Sequence, residues 1–156
     1  MKRAVLTVLL IMVLSAAVFG QAVTGSQVPA AVKNGLREKF QTVKKVEWKI
    51  KADRNYEAEF TLKKTDTAAK FDSTGKWLET ESAAPRSAVP SAVRDSIAKQ
   101  FKRYKIIEIQ TVQRWNEQRV IWEIHLEGAN EIVKAQFDAS GAILSRSAKP
   151  KSGKEK

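Results

Sequence analysis

Apolar residues fall into a four-residue rhythm twice along this chain, and each time a two-residue rhythm follows. Val28, Val32, Leu36 and Phe40 recur every four residues, as do Val89, Val93, Ile97 and Phe101, while Lys33, Arg37 and Lys39 lie off the first stripe. Such spacing predicts two amphipathic helices of about three turns each. Pro29 and Pro90 open them, at a place where a missing N–H costs nothing because the first turn leaves its N–H groups unpaired. Gly35 costs about 1 kcal/mol relative to Ala inside a helix, so the first helix depends on what it packs against.

From Val46 the period is two. Val46, Trp48 and Ile50 alternate with Lys45, Glu47, Lys49 and Lys51; Tyr56, Ala58, Phe60 and Leu62 then alternate with Glu57, Glu59, Thr61 and Lys63. Thr67, Ala69 and Phe71 form a third inward set, and a fourth strand carries Trp77. Asp53-Arg54-Asn55 and Asp72-Ser73-Thr74-Gly75 supply turns. In the second half the inward sets are Ile107 and Ile109, then Val120, Trp122, Ile124 and Leu126, then Val133, Ala135 and Phe137, then Ile143.

The two halves also match residue by residue. VPAAVKNGLREKF at 28–40 returns as VPSAVRDSIAKQF at 89–101, Tyr56-Glu57 returns as Trp122-Glu123, and FDSTG at 71–75 returns as FDASG at 137–141. Matches in the same order are the mark of an internal repeat. The expected fold class is therefore α+β, two tandem copies of one helix followed by a four-stranded antiparallel meander. The expected organisation is a signal peptide at 1–22, a first repeat at 23–81, a linker at 82–88, a second repeat at 89–147 and a disordered basic tail at 148–156. Five extra residues between Gln110 and Arg119 predict a hairpin that projects further than its counterpart.

Composition adds a compartment. Lys2-Arg3, the apolar run from Ala4 to Leu14 and the small residues up to Ala22 read as a secretory signal cut after Gly20 or Ala22. That apolar run is shorter than the roughly 20 residues that span a bilayer, so the mature chain is expected in the periplasm or outside the cell with no transmembrane segment. With no cysteine there are no disulfides and no thiolate metal site, and stability must come from burial. A unit of about 60 residues is marginal alone, so the halves are expected to share a core or a continuous sheet. The formal charge of +11 includes two units from Lys2 and Arg3 and three from the tail, which leaves +6 on residues 23–147. Such a surplus favours anionic partners without selecting one.

Few residues carry chemistry. Asp72 to Gly75 and Asp138 to Gly141 lack the acidic spacing of a calcium loop and read as hairpin turns. Ser96 and Lys99 have the Ser-x-x-Lys spacing of acyl-transfer enzymes but no companion motif. His125 is the one histidine and, with Glu57, Glu59 and Glu123, reads as part of a solvated strand face. No nucleophile, base and orienter converge, so no catalytic, cofactor or metal residue is assigned and an enzyme is not expected. Trp115 stands apart: it lies among Arg114, Asn116, Glu117, Gln118 and Arg119, and Trp and Arg are enriched where proteins bind one another.

The Val-Pro helix start, its terminal Phe, the aromatic-Glu strand and the Phe-Asp-x-x-Gly turn together resemble the PepSY-like, or β-lactamase-inhibitor-like, family over about 28–78 and 89–144. The resemblance implies the tandem fold of the β-lactamase inhibitor proteins, export, and a partner surface on the open face of the sheet. The first copy departs from this, with Lys45, Lys49, Glu57, Glu59 and Lys70 on that face; Ile121, His125 and Ile132 make the second copy less charged. The reading is an exported, non-enzymatic module that binds a protein or peptide, as an inhibitor or chaperone of a peptidase or other envelope protein, through Trp115, Arg114, Arg119, Ile121 and His125. The alternative is a binder of anionic polymers or membrane surface. Specific nucleic-acid binding is not expected, because the basic residues are spread along the chain.

Overall fold

The computed structural model describes residues 20–151; the signal-peptide expectation for residues 1–19 and the end of the tail at 152–156 lie outside them. Strand β1 (Gln21–Val23) and a 3-10 turn (Gly25–Gln27) lead into helix α1 (Ala30–Lys39). Strands β2 (Glu47–Ile50), β3 (Tyr56–Leu62), β4 (Thr65–Phe71) and β5 (Trp77–Ala83) follow. A second 3-10 turn (Arg86–Ala88) then precedes helix α2 (Ser91–Gln100) and strands β6 (Lys105–Arg114), β7 (Ile121–Glu127), β8 (Glu131–Phe137) and β9 (Ile143–Pro150). Among the described residues the nine strands form one antiparallel sheet in sequence order.

Both helices pack through the predicted stripes. Val28, Val32, Leu36, Trp48, Ala58, Phe60, Ala69 and Phe71 form one buried cluster, and Val89, Val93, Ile97, Phe101, Ile124, Leu126, Val133, Ala135 and Phe137 form another. The sheet is continuous but the core is not. Where β5 meets β6, Thr80 pairs with Gln113 and Ser82 with Thr111, in register with the inward-facing Thr67 and Ala69 of β4. Hydroxyls thus separate the apolar clusters, and the halves are joined mainly through backbone ladder bonds. The expectation of a shared core or a continuous sheet is met by the sheet.

The Asp-x-x-Gly segments are turns that dock on the helices. Asp72 Oδ1 accepts from the Thr74 N–H, the Thr74 hydroxyl and the Lys76 N–H, and Asp138 Oδ1 accepts from Ser140 and Ala142 in the same way. Gly75 and Gly141 sit at φ +87° and +84°, where a side chain is strained. A Cβ there would also lie 2.3 and 2.4 Å from the carbonyl oxygens of Ala31 and Ala92. Gly35 has the matching reason to lack a side chain: its Cβ would lie 2.1 Å from the Gly75 carbonyl oxygen. What the helix loses in propensity is the condition for turn and helix backbones to touch.

Several expectations are corrected. Gln21 and Ala22, assigned to the end of the leader, form with Val23 an edge strand that pairs with β2 at Gln21–Ile50, Ala22–Lys49 and Val23–Trp48. The tail is ordered further than expected, because Ala148, Lys149 and Pro150 pair with Val133, Ile132 and Glu131. Ile107 does not face inward. A bulge between Ile106 and Glu108 sets Ile106 opposite Leu126 and Ile109 opposite Ile124, leaving Ile107 46% exposed. Val120 lies just before β7 and is exposed.

Two outcomes follow. Gly35→Ala, which stabilises an ordinary exposed helix, lowers stability here by about 1–3 kcal/mol in urea unfolding, because the turn must retreat; a gain would contradict this docking. If the leader-like segment is removed, cleavage after Gly20 leaves β1 whole whereas cleavage after Ala22 takes two of its three residues; N-terminal sequencing is then expected to give a start at Gln21, and a start at Val23 would contradict the role of β1.

Candidate functional site

Helices cover one face of the sheet, and alternation along the strands sends the other set of side chains to the face they leave open. By register that face carries Lys49, Glu57 and Glu59 on β2 and β3, then Lys70 and Glu79 on β4 and β5. It continues with Val112 and Arg114 on β6, Ile121, Glu123 and His125 on β7, and Lys134 and Gln136 on β8.

These residues do not stand free in solvent; they interlock. Lys49 meets Glu59 at 2.5 Å and Lys51 meets Glu57 at 3.0 Å. Lys70 donates to Glu79 at 2.7 Å, and Arg114 bridges from Glu79 at 3.4 Å to Gln136 at 3.1 Å. Gln136 passes the chain to Glu123 at 2.7 Å. Glu123 also receives Lys134 at 2.7 Å and His125 at 3.1 Å, and His125 reaches Glu108 at 2.7 Å with its other nitrogen. Both ring nitrogens thus face carboxylates, and both contacts are hydrogen bonds when both nitrogens carry protons.

Glu123 is the centre of this lattice. Its side chain is 1% exposed. Burial alone would push its carboxyl up, but donors from His125, Lys134 and Gln136 more than offset that and hold it at about 2. Glu81 shows the opposite balance. It stands between Ala68 and Val112 in register, and burial, reinforced by the Glu123 and Glu79 charges, pushes its carboxyl up.

Next to the lattice lies a groove of about 840 Å³. Glu47, Glu59, Asp66, Glu81 and Glu108 line it, with Lys44 and Lys45. Gln110 Oε1 also borders it, buried and accepting no hydrogen bond among the described residues. The groove is therefore rich in acceptors although the whole chain is basic.

The five sequence-predicted site residues separate. Arg114 and His125 are parts of the lattice. Ile121 is a correction: it is fully buried opposite Val112, beside the lattice side chains, and presents no surface to a partner. Arg119 is at the hairpin turn, 53% exposed and bound to Glu117 at 2.9 Å. Trp115 is 54% exposed, with Lys76 Nζ 3.3 Å above its ring centroid, and its backbone N–H donates to the Leu78 carbonyl at 3.0 Å. The hairpin is tied to β5 instead of standing free. The solvated reading of Glu57 and Glu123 is also corrected, since both are buried. Glu79, Glu81, Glu108 and Gln110 were missed; the i, i+2 acids at 79 and 81 were the available signal, and the bulge beside Phe71 sends them to the face opposite Trp77.

Ser96 is engaged by Gln100 at 2.8 Å, and no group of three or more His, Asp or Glu side chains is placed to hold a metal among the described residues.

The model of the family described as "Putative beta-lactamase-inhibitor-like, PepSY-like" matches residues 18–62 and 54–145. The chain belongs to this family. The matched segments overlap and do not follow the repeat boundaries read from the sequence. Among solved structures, a protein of a family of unknown function from Bacteroides uniformis is 22% identical, with 77% of this chain and 88% of that one covered at a TM-score of 0.69. A putative periplasmic protein from Bacteroides eggerthii is 21% identical, with 78% and 88% covered and a TM-score of 0.69. A protein from Bacteroides fragilis described as like the β-lactamase inhibitor protein is 17% identical, with 82% and 91% covered and a TM-score of 0.67. These likenesses establish the fold this PepSY-like chain shares. No curated protein matches it. Among the described residues no helix is long and apolar enough to cross a membrane.

The lattice sets a pH dependence. A carboxyl held near 2 in the fold and near 4.5 when unfolded stabilises the protein above the unfolded value, and the contribution is lost as pH falls through the folded one. Stability from Glu123 is then worth about 3 kcal/mol at neutral pH and disappears between about pH 5 and pH 2. Glu123→Gln is less stable at pH 7 and has a flatter acid limb in urea unfolding; acid limbs of equal slope in the two proteins would contradict the assignment.

Proposed function

We propose that this PepSY-like protein is an exported, non-enzymatic module that holds a protein or peptide partner on the open face of its sheet. The observation that carries the reading is the lattice centred on Glu123. It gives the uncovered face ordered side chains before anything binds, and ordering in advance removes part of the entropic cost of association. Trp115 at the edge adds a large amphipathic ring of the kind that anchors interfaces, with Lys76 already stacked on one side of it. The groove adds acceptors, among them Gln110 Oε1 and the Glu81 carboxyl, that a partner's donors would satisfy.

The reading extends to how the chain is built. We take residues 23–81 and 89–147 as copies of one helix-and-meander unit joined by 82–88. Pro29 and Pro90 have the same cap geometry, at φ −55°, and support this reading, as do the Phe40 and Phe101 N–H groups, which donate to Leu36 and Ile97 carbonyls at 2.8 Å. Export to the periplasm or beyond rests on the leader-like N-terminal sequence. Inhibiting a peptidase and chaperoning an envelope protein are the two uses such a surface fits best.

The test is partner capture from the native envelope fraction with three variants. Ala68→Arg places a long cation in the groove, Trp115→Ala removes the edge anchor, and Asp95→Arg alters the exposed side of α2 as a control. Recovery falls about tenfold for Ala68→Arg and severalfold for Trp115→Ala, with Asp95→Arg unchanged. Loss confined to Asp95→Arg, or equal recovery from all variants, would overturn the proposal.

A further inference from the structure

On the covered side of the sheet, a second concavity differs from the groove in both lining and charge. It has a volume of about 460 Å³ and lies between the Arg86–Ala88 turn, the C-terminal half of α2 and the start of β6. Its floor is Val89, Ile97 and Phe101, each buried, with Ile106 beside them. Around the mouth stand Arg86, Arg94, Lys102 and Lys105, all exposed. No carboxylate lines it.

The four cations are available to a ligand. None of them forms a salt bridge among the described residues. Lys105 stands opposite Glu127 in the β6–β7 register, but Glu127 is held by Lys151 at 2.8 Å. The Arg94 Nη1 donates to the Val89 carbonyl, which fixes the guanidinium at the mouth.

An apolar floor of this volume is typical of sites for small molecules, which use a few placed polar groups for orientation. Each lining feature excludes a class of ligand. Repulsion at the mouth disfavours a cation, and a small hydrophilic anion leaves the floor unused. An anion with a hydrocarbon chain uses both, and its head stays at solvent level, so the charge is not buried. We infer that this pocket binds a single-chain anionic amphiphile, a medium-chain fatty carboxylate whose chain lies over Phe101 and whose head lies among Arg86, Arg94, Lys102 and Lys105. The site is on the opposite side of the sheet from the partner face, and the two proposals stand or fall separately.

Calorimetric titration of the full mature chain tests it, with octanoate, decanoate and dodecanoate kept below their micelle-forming concentrations. Dodecanoate binds one to one, affinity rises about fourfold per added methylene, and added salt weakens it. Dodecyltrimethylammonium, with the same chain and the opposite charge, does not bind. Ala98→Trp, at an exposed helix position on the pocket wall, lowers dodecanoate affinity about tenfold or more by filling the space. Lys102→Glu lowers it severalfold, with circular dichroism unchanged. Absence of saturable dodecanoate binding would overturn the inference. So would equal binding of the cationic amphiphile, affinity unaltered in both variants, or binding to phosphatidylglycerol vesicles without binding to the monomeric carboxylate.

Discussion

A single-layer sheet with helices on one side leaves the other side to look after itself. Here the uncovered face contains Val112 and Ile121, both fully buried, and Glu123 at 1% exposure. Among the described residues no helix or strand lies over them; long polar side chains do the covering. Arg114 reaches from Glu79 on one neighbouring strand to Gln136 across the next, and Glu123 collects three donors. A buried carboxylate with one donor missing would cost several kcal/mol. The donors must therefore all be present together, and that requirement fixes the side chains of the face.

The same constraint explains the architecture. With Thr80, Ser82, Thr111 and Gln113 between the two apolar clusters, the halves do not hold each other by hydrophobic contact. Continuity comes from the β5–β6 ladder, and on the open face Glu79 and Arg114 tie the same two strands by charge. The turns at Gly75 and Gly141 clamp each helix to the strands that follow it by backbone approach, so each helix is fixed to its own half.

Much of this was legible from side-chain period alone. The stripes at Val28–Phe40 and Val89–Phe101 and the alternation from Tyr56 and from Val133 describe the covered face, because burial against a helix demands an unbroken apolar pattern. The open face was harder to read for a physical reason: Glu57 and Glu123 look like solvated residues in a one-dimensional string, and their burial depends on cross-strand partners 6 to 13 positions away, such as Lys51, Lys134 and Gln136. Ile121 misled in the opposite direction, since an apolar residue on an outward position marks contact surface only if neighbours do not cover it. Ile107 was misplaced by a bulge, which shifts the alternation by one residue and has no signature in polarity. The edge strands at 21–23 and 148–150 were missed because their residues contribute backbone pairing and little else.

Family membership supplies the fold and a direction in which to look, while the chemistry of this chain supplies the rest: a preformed polar face on one side of the sheet and helices on the other. The most direct test is to place a photo-crosslinking amino acid at open-face positions Thr61 and Ala68 and at helix positions Lys33 and Asp95, then irradiate in the native envelope. The account predicts discrete protein adducts from the open-face positions and none from the helix positions. Adducts from the helices alone would contradict it.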